Sequence, residues 1–278
     1  MKKTLVFAII ICLSLLTLTA KETKKDEAPS KKSGEKAWFG EPEYAMLELG
    51  VGFFYHTYYF ETEDGDLGDE AHLKYGRDLG YDDTYLNFTG DFIFRFKSIK
   101  LSLGYSMFNE ETKYTLGKDV TFYDALFNAG ENVKSTFNVH LLTLDFCWYI
   151  LNLDLGKNFN VKLGPSIRID AFITDVRLKG TDSDKGDKFD IPVVPFPSLG
   201  ISFETTIFKY SGLFFDINGM YAGKYLGYMN WKTGLRIYPW HWTGLELSYR
   251  HLYAEALWDE DLVKTDFHGF NMTFLLRF

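Results

Sequence analysis

The sequence predicts an all-β fold: a transmembrane, antiparallel, up-and-down β-barrel of about ten strands, with eight strands as the alternative. Three observations lead there. The last nine residues, Phe270 to Phe278, place a large apolar side chain at every second position and mostly small or polar ones between. Aromatic residues make up 18% of the chain, yet past the first 20 residues no stretch approaches the roughly 18 apolar residues of a spanning helix. The connections between candidate strands alternate between short and long.

The chain opens with Met1-Lys2-Lys3, a short positive region, followed by an apolar run from Thr4 to Leu18 and a small residue at Ala20. That order predicts a secretory signal peptide over 1–20, cleaved near Ala20. Ile11 precedes Cys12 where lipidation needs a small residue, so the pattern argues against a lipid anchor. Without the leader Cys147 is the one remaining cysteine, and no internal disulfide can form. Residues 21–42 are rich in Lys and Glu, with Ser, Gly and Pro, and predict a flexible tail to which no binding role is assigned. The barrel is expected over 43–278, a single domain.

Period-two alternation predicts strands near 44–58, 85–96, 100–108, 138–150, 160–173, 194–207, 212–222, 229–238, 243–253 and 267–278. Tight links fall near 97–99, 151–159, 208–211 and 239–242. Longer connections fall near 61–84, 109–137 and 174–193, with a moderate one at 254–266 and a short one at 223–228. One parity of each strand is apolar, for example Leu86, Phe88, Phe92, Phe94 and Phe96, or Leu142, Leu144, Phe146, Trp148 and Ile150. None of the ten lipid parities carries a charge within its span. A Lys or Arg there costs about 2–4 kcal/mol at the bilayer midplane. Only alternate residues touch lipid, which accounts for a negative mean hydropathy.

The other parity carries the charges. The acids are Glu48, Asp91, Asp145, Asp170, Glu204, Asp216 and Glu246; the bases are Arg95, Lys162, Arg168, Lys232, Arg236, Arg250 and Arg277. Equal numbers of each sign in a narrow interior predict a paired network that fills and rigidifies the lumen. The alternative is a narrow, charge-lined pore, which more often shows an excess of one sign.

The alternation Phe270, Met272, Phe274, Leu276, Phe278, ending on an aromatic terminus, resembles the C-terminal assembly signal of bacterial outer-membrane β-barrel proteins of the small, single-chain, Gram-negative type. The resemblance implies an outer-membrane location and a monomer, and an even strand number puts both termini on the periplasmic side. It implies outer-membrane lipids and the barrel assembly machinery as partners. The net charge of −8 argues against a nucleic-acid partner, which needs a basic face.

Catalytic patterns are weak. Asp266-Phe267-His268 resembles the Asp-x-His half of the omptin protease site, with Asp64-Gly65-Asp66 or Asp82-Asp83 as candidate paired acids. Parity, however, puts Asp266 and His268 on the lipid face, whereas an omptin-like site faces the barrel's cleft. A barrel phospholipase needs a serine two positions from an outward histidine; Leu142, Tyr253 and Phe270 follow His140, His251 and His268 instead. His251 and His268 are expected opposite each other on the outside, near Tyr249, Tyr253 and Phe270, as rings in an interfacial aromatic belt. Two imidazoles alone do not make a metal site. Cys147 lies on the lumen parity as a small filler. The acidic run Glu61 to Glu70 lacks the glycine spacing of a calcium-binding EF-hand loop.

The expectation is therefore a non-enzymatic barrel without cofactor, structural or surface-exposed, whose extracellular loops make contacts. A narrow diffusion channel or transporter for small solutes is the alternative. The first and last loops are acidic. The second holds Tyr114, Phe122, Tyr123, Leu126 and Phe127 and is expected to fold over the mouth or bind an extracellular ligand.

Overall fold

The computed structural model describes residues 46–63, 73–74, 78–79, 84–122, 125–155, 159–181, 186–208, 210–223, 226–258 and 261–278. The signal peptide, the tail, Tyr123 and the acid pairs Asp64/Asp66 and Asp82/Asp83 lie outside the described residues.

The strands are β1 (Met46–Glu63), β2 (Leu73–Lys74), β3 (Tyr85–Phe96), β4 (Ile99–Thr115), β5 (Val120–Phe122), β6 (Ala125–Phe127) and β7 (Asn132–Trp148). They continue with β8 (Leu151–Asp154), β9 (Asn160–Gly180), β10 (Gly186–Phe208), β11 (Ser211–Tyr221), β12 (Leu226–Trp240), β13 (Thr243–Trp258) and β14 (Asp261–Arg277). Ten of them close a ring in the order β1, β3, β4, β7, β9, β10, β11, β12, β13, β14, all antiparallel. β14 returns to β1, with Glu48 opposite Arg277 and backbone bonds of 2.8 and 3.1 Å between Leu47 and Phe278. The barrel thus has ten strands, not eight, and the first and last strands meet at the same end.

Of the remaining strands, β2 pairs with the far end of β1 and β5 with β6. β8 pairs with the start of β9, so the link expected over 151–159 contains a strand. Three connections are shorter than expected. β9 and β10 stay paired out to Lys179 and Gly186, β13 and β14 out to Trp258 and Asp261, and β4 and β7 out to Thr115 and Asn132. These ends continue past the apolar band as paired ribbons. Hydrophobicity ends each strand early in the sequence because the outer face there turns polar while the pairing goes on.

The short turns lie at the end that holds the two strand termini, the turn end; the opposite, loop end holds the longer connections. Lys97-Ser98 joins Phe96 to Ile99 as a two-residue hairpin turn, and Lys97 adopts the left-handed φ of 50° that such turns require. At Gly244 a side chain would meet the Tyr238 ring at 2.6 Å, so only glycine lets that ring lie flat across the wall.

Burial is inverted relative to a water-soluble barrel. Leu49, Val51, Phe53, Leu86, Phe88, Leu142, Phe146, Leu163, Ile167, Leu199, Ile201, Leu213, Leu247, Phe274 and Leu276 are all exposed on the outer wall. Trp148, Phe208, Trp240, Trp242 and Phe278 stand out at the turn end, and Tyr55, Tyr59 and Tyr221 near the other. An apolar band flanked by two aromatic girdles is the exterior of a transmembrane β-barrel. Among the described residues no helix is long and apolar enough to cross a membrane.

Candidate functional site: the lumen and the outer histidine pair

Near the turn end, inward side chains cross the barrel as ion pairs. Glu204 on β10 is the hub: Arg95 of β3 reaches it at 2.7 Å, Arg236 of β12 at 3.2 Å and Lys100 of β4 at 3.4 Å. In a ring of ten, β3 and β10 stand four places apart, so the Arg95 bond nearly spans the diameter. Lys100 also holds Asp216 at 3.2 Å and Ser202 at 3.0 Å, and Ser202 donates to Asp216. Glu246 accepts from Lys232 at 2.6 Å and Arg236 at 2.8 Å. Glu48 accepts from Arg277 at 3.0 Å and from the Tyr238 hydroxyl at 2.7 Å.

A second group adjoins the first. Arg168 donates to Asp170 at 2.6 Å and lies 3.7 Å from Asp145, while Thr143 and Tyr228 also donate to Asp170. Arg250 donates to Asn230 at 3.3 Å, and Asn230 donates to the Tyr228 hydroxyl at 2.9 Å. Lys162 sits 5.9 Å from the Tyr149 ring. Asp91 faces inward against Gly104, where an added side chain would stand 3.1 Å from its Oδ1. All fourteen charges expected inside therefore line the interior. Lys100 was missed: it stands beside the Lys97-Ser98 turn, at the first position of its expected strand, where one charge does not register as alternation. The tyrosines Tyr228 and Tyr238 were missed for another reason, since an inward Tyr and a lipid-facing Tyr read alike.

The loop-end half of the lumen is of different chemistry. Phe54, Tyr58 and Phe60 of β1, Phe108, Phe137, Phe172, Phe196, Tyr228, Leu252 and Phe267 form one buried apolar cluster drawn from eight of the ten ring strands. Phe137 stacks on Tyr58 at 5.3 Å, Phe108 packs on Phe267 at 4.6 Å, and Phe196 meets Phe172 edge-on at 5.3 Å. Val120, Phe122 and Phe127 of the β5–β6 hairpin bury into the same cluster, so the second connection is folded against the mouth, while Leu126 stays exposed. Within it His56 stacks on Phe54, meets Phe108 edge-on and bonds Asn87 at 2.8 Å, which donates to Glu110 at 3.0 Å. Lumen filling is thus ionic in one half and aromatic in the other.

On the outer wall, β13 and β14 set His251 directly opposite His268. Asp266, two residues before His268 on the same face, lies 2.9 Å from His251 Nε2 and 3.3 Å from His268 Nδ1. Trp231 Nε1 donates to His251 Nδ1 at 3.1 Å, and Thr57 Oγ1 is 2.9 Å from His268 Nε2. The pair expected in the belt and the Asp-x-His motif are therefore one cluster, and it faces away from the lumen. Cys147 is buried on the lumen parity.

No family model matches the chain, and no curated protein matches it. Among solved structures it is similar to Ail, the attachment invasion locus protein of Yersinia pestis, at 9% identity and a TM-score of 0.33, covering 84% of this chain and 99% of that one. It is also similar to the outer membrane protease OmpT of Escherichia coli, at 8% identity and a TM-score of 0.39, covering 85% and 97%. A third is neisserial surface protein A, at 9% identity and a TM-score of 0.29, covering 84% and 97%. Proteins of such different roles leave the role of this chain to its own residues.

Proposed function

We propose that this chain is a non-enzymatic outer-membrane protein: a sealed β-barrel that anchors and presents its extracellular loops, with both termini periplasmic. The observation that carries this reading is the stacking of two fillings in one lumen. Ion pairs reach across the barrel near the turn end, and an apolar aromatic layer lies over them toward the loops. A permeant ion has to displace paired charges and then cross a layer with few polar groups, and both steps are costly. Glu48, Asp145, Asp170, Glu204, Asp216 and Glu246 are engaged by cations and hydroxyls, and the bonds of Glu204 and Asp216 brace opposite walls, a structural use of charge. On the same reading β14 is the segment offered to the barrel assembly machinery, since Phe270, Met272, Phe274, Leu276 and Phe278 all stand exposed along its outer face. Outer-membrane lipids contact the apolar band, and contacts beyond the cell fall to the loops.

Liposome swelling tests the sealed lumen. Refolded, heat-modifiable protein is reconstituted and challenged with arabinose and with smaller solutes. No swelling above protein-free liposomes is expected. Swelling that falls with solute size would replace this reading with the alternative, a narrow diffusion channel.

A further inference from the structure

We propose that His251, Asp266 and His268 form a divalent-metal site of the zinc type on the outer wall of the barrel. The sequence offers two unrelated fragments, a histidine pair and an Asp-x-His motif; strand register merges them. Their donor atoms all lie within 4.8 Å of one another. Around a tetrahedral zinc with bonds of 2.0–2.1 Å, donors stand about 3.3 Å apart. The separations from Asp266 Oδ1, 2.9 Å to His251 and 3.3 Å to His268, already match that edge. Only the two imidazoles have to close on each other, by a turn of the half-exposed His268 ring. Two imidazoles and one carboxylate leave a fourth position open, as in zinc sites that keep a water. Side-chain exposures of 24%, 31% and 49% make the site reachable from the outside. The open position is suited to a water or an anionic headgroup oxygen.

The surroundings orient these ligands. Thr57 bonds the far nitrogen of His268, the kind of outer contact that fixes a metal-binding imidazole. The Trp231 indole can only donate, so its bond to His251 Nδ1 assigns the ring proton to Nε2, pointing at Asp266. Metal binding at Nε2 expels that proton, and Nδ1 takes one up. The ring keeps its charge, and the Trp231 bond breaks. Trp231 therefore reports occupancy. Another outward imidazole, His140, bonds the Tyr105 hydroxyl at 2.8 Å and serves as a control.

The test uses the full chain without a histidine tag, folded in detergent micelles, with Zn2+ titrated against a chromophoric chelator. One equivalent is expected. His251→Ala and His268→Ala should each weaken it by at least about tenfold, and Asp266→Asn should do likewise. His140→Ala should leave it unchanged. Trp231→Phe should keep the binding and abolish the change in emission. All these positions lie on the outer wall, and heat-modifiable mobility verifies that each variant is folded. An absence of binding by folded wild-type protein would overturn the proposal. Binding that survives in the His251→Ala/His268→Ala double variant would do so equally, and would leave the cluster as an Asp266 carboxylate bonded by two rings of the aromatic belt.

Discussion

The two halves of this lumen solve the same problem with opposite chemistry. Toward the turn end, seven carboxylates and eight cations occupy the interior, with Glu204 accepting from Arg95, Lys100 and Arg236 together. Toward the loops, Phe54, Phe108, Phe137, Phe196 and Phe267 fill the same width with rings. The charged half holds geometry by directional bonds across the barrel and depends on every partner being present, because an orphaned charge there is costly. The aromatic half excludes water by volume, so its losses are graded by the cavity each deletion leaves. Tyr228 joins the two, with its ring in the aromatic cluster and its hydroxyl on Asp170.

This contrast breaks most visibly at Glu204. Glu204→Ala strips Arg95 of its carboxylate and takes one of two acids from Lys100 and from Arg236; it should cost about 3–5 kcal/mol, read as a lowered urea midpoint for loss of the heat-modifiable form. Phe137→Ala should cost about 3 kcal/mol in the same assay. Its loss should not depend on pH between 5 and 8, since it removes no charge. Tyr238→Phe keeps the ring over Gly244 and removes the bond to Glu48, for about 2 kcal/mol. Lys134→Ala breaks the ion pair of 2.8 Å to Glu111 on a ribbon outside the barrel's apolar band, where both partners are over 40% exposed. That change should stay within about 0.5 kcal/mol, and a larger effect would mean that the loop-end ribbons contribute to barrel stability as the lumen does.

The same contrast explains what could be read in advance. Charges are conspicuous against an alternating apolar face, so strands such as 160–173 disclosed both walls at once. The segment Phe53-Phe54-Tyr55-His56-Thr57-Tyr58-Tyr59-Phe60 is aromatic on both parities, and alternation is silent there; which rings point inward is decided by register with β3 and β14. Loop lengths failed where pairing outlasts hydrophobicity, as at Thr174 to Gly180. The outer cluster was legible only in pieces, because nothing in local sequence states that residue 251 stands opposite residue 268. Single positions at turns, Lys100 above all, carry chemistry that no periodicity marks.

On the proposed function, the aromatic half seals the lumen and the charged half braces it. Single-channel recording in planar bilayers separates the two roles, comparing wild type with Phe54→Ala/Phe137→Ala/Phe267→Ala and with Arg95→Gln/Lys100→Gln/Glu204→Gln, each verified as folded. Silence from wild type and from the charge variant, with discrete openings only in the aromatic variant, is the predicted result. Openings in the wild type, or in the charge variant alone, would contradict it.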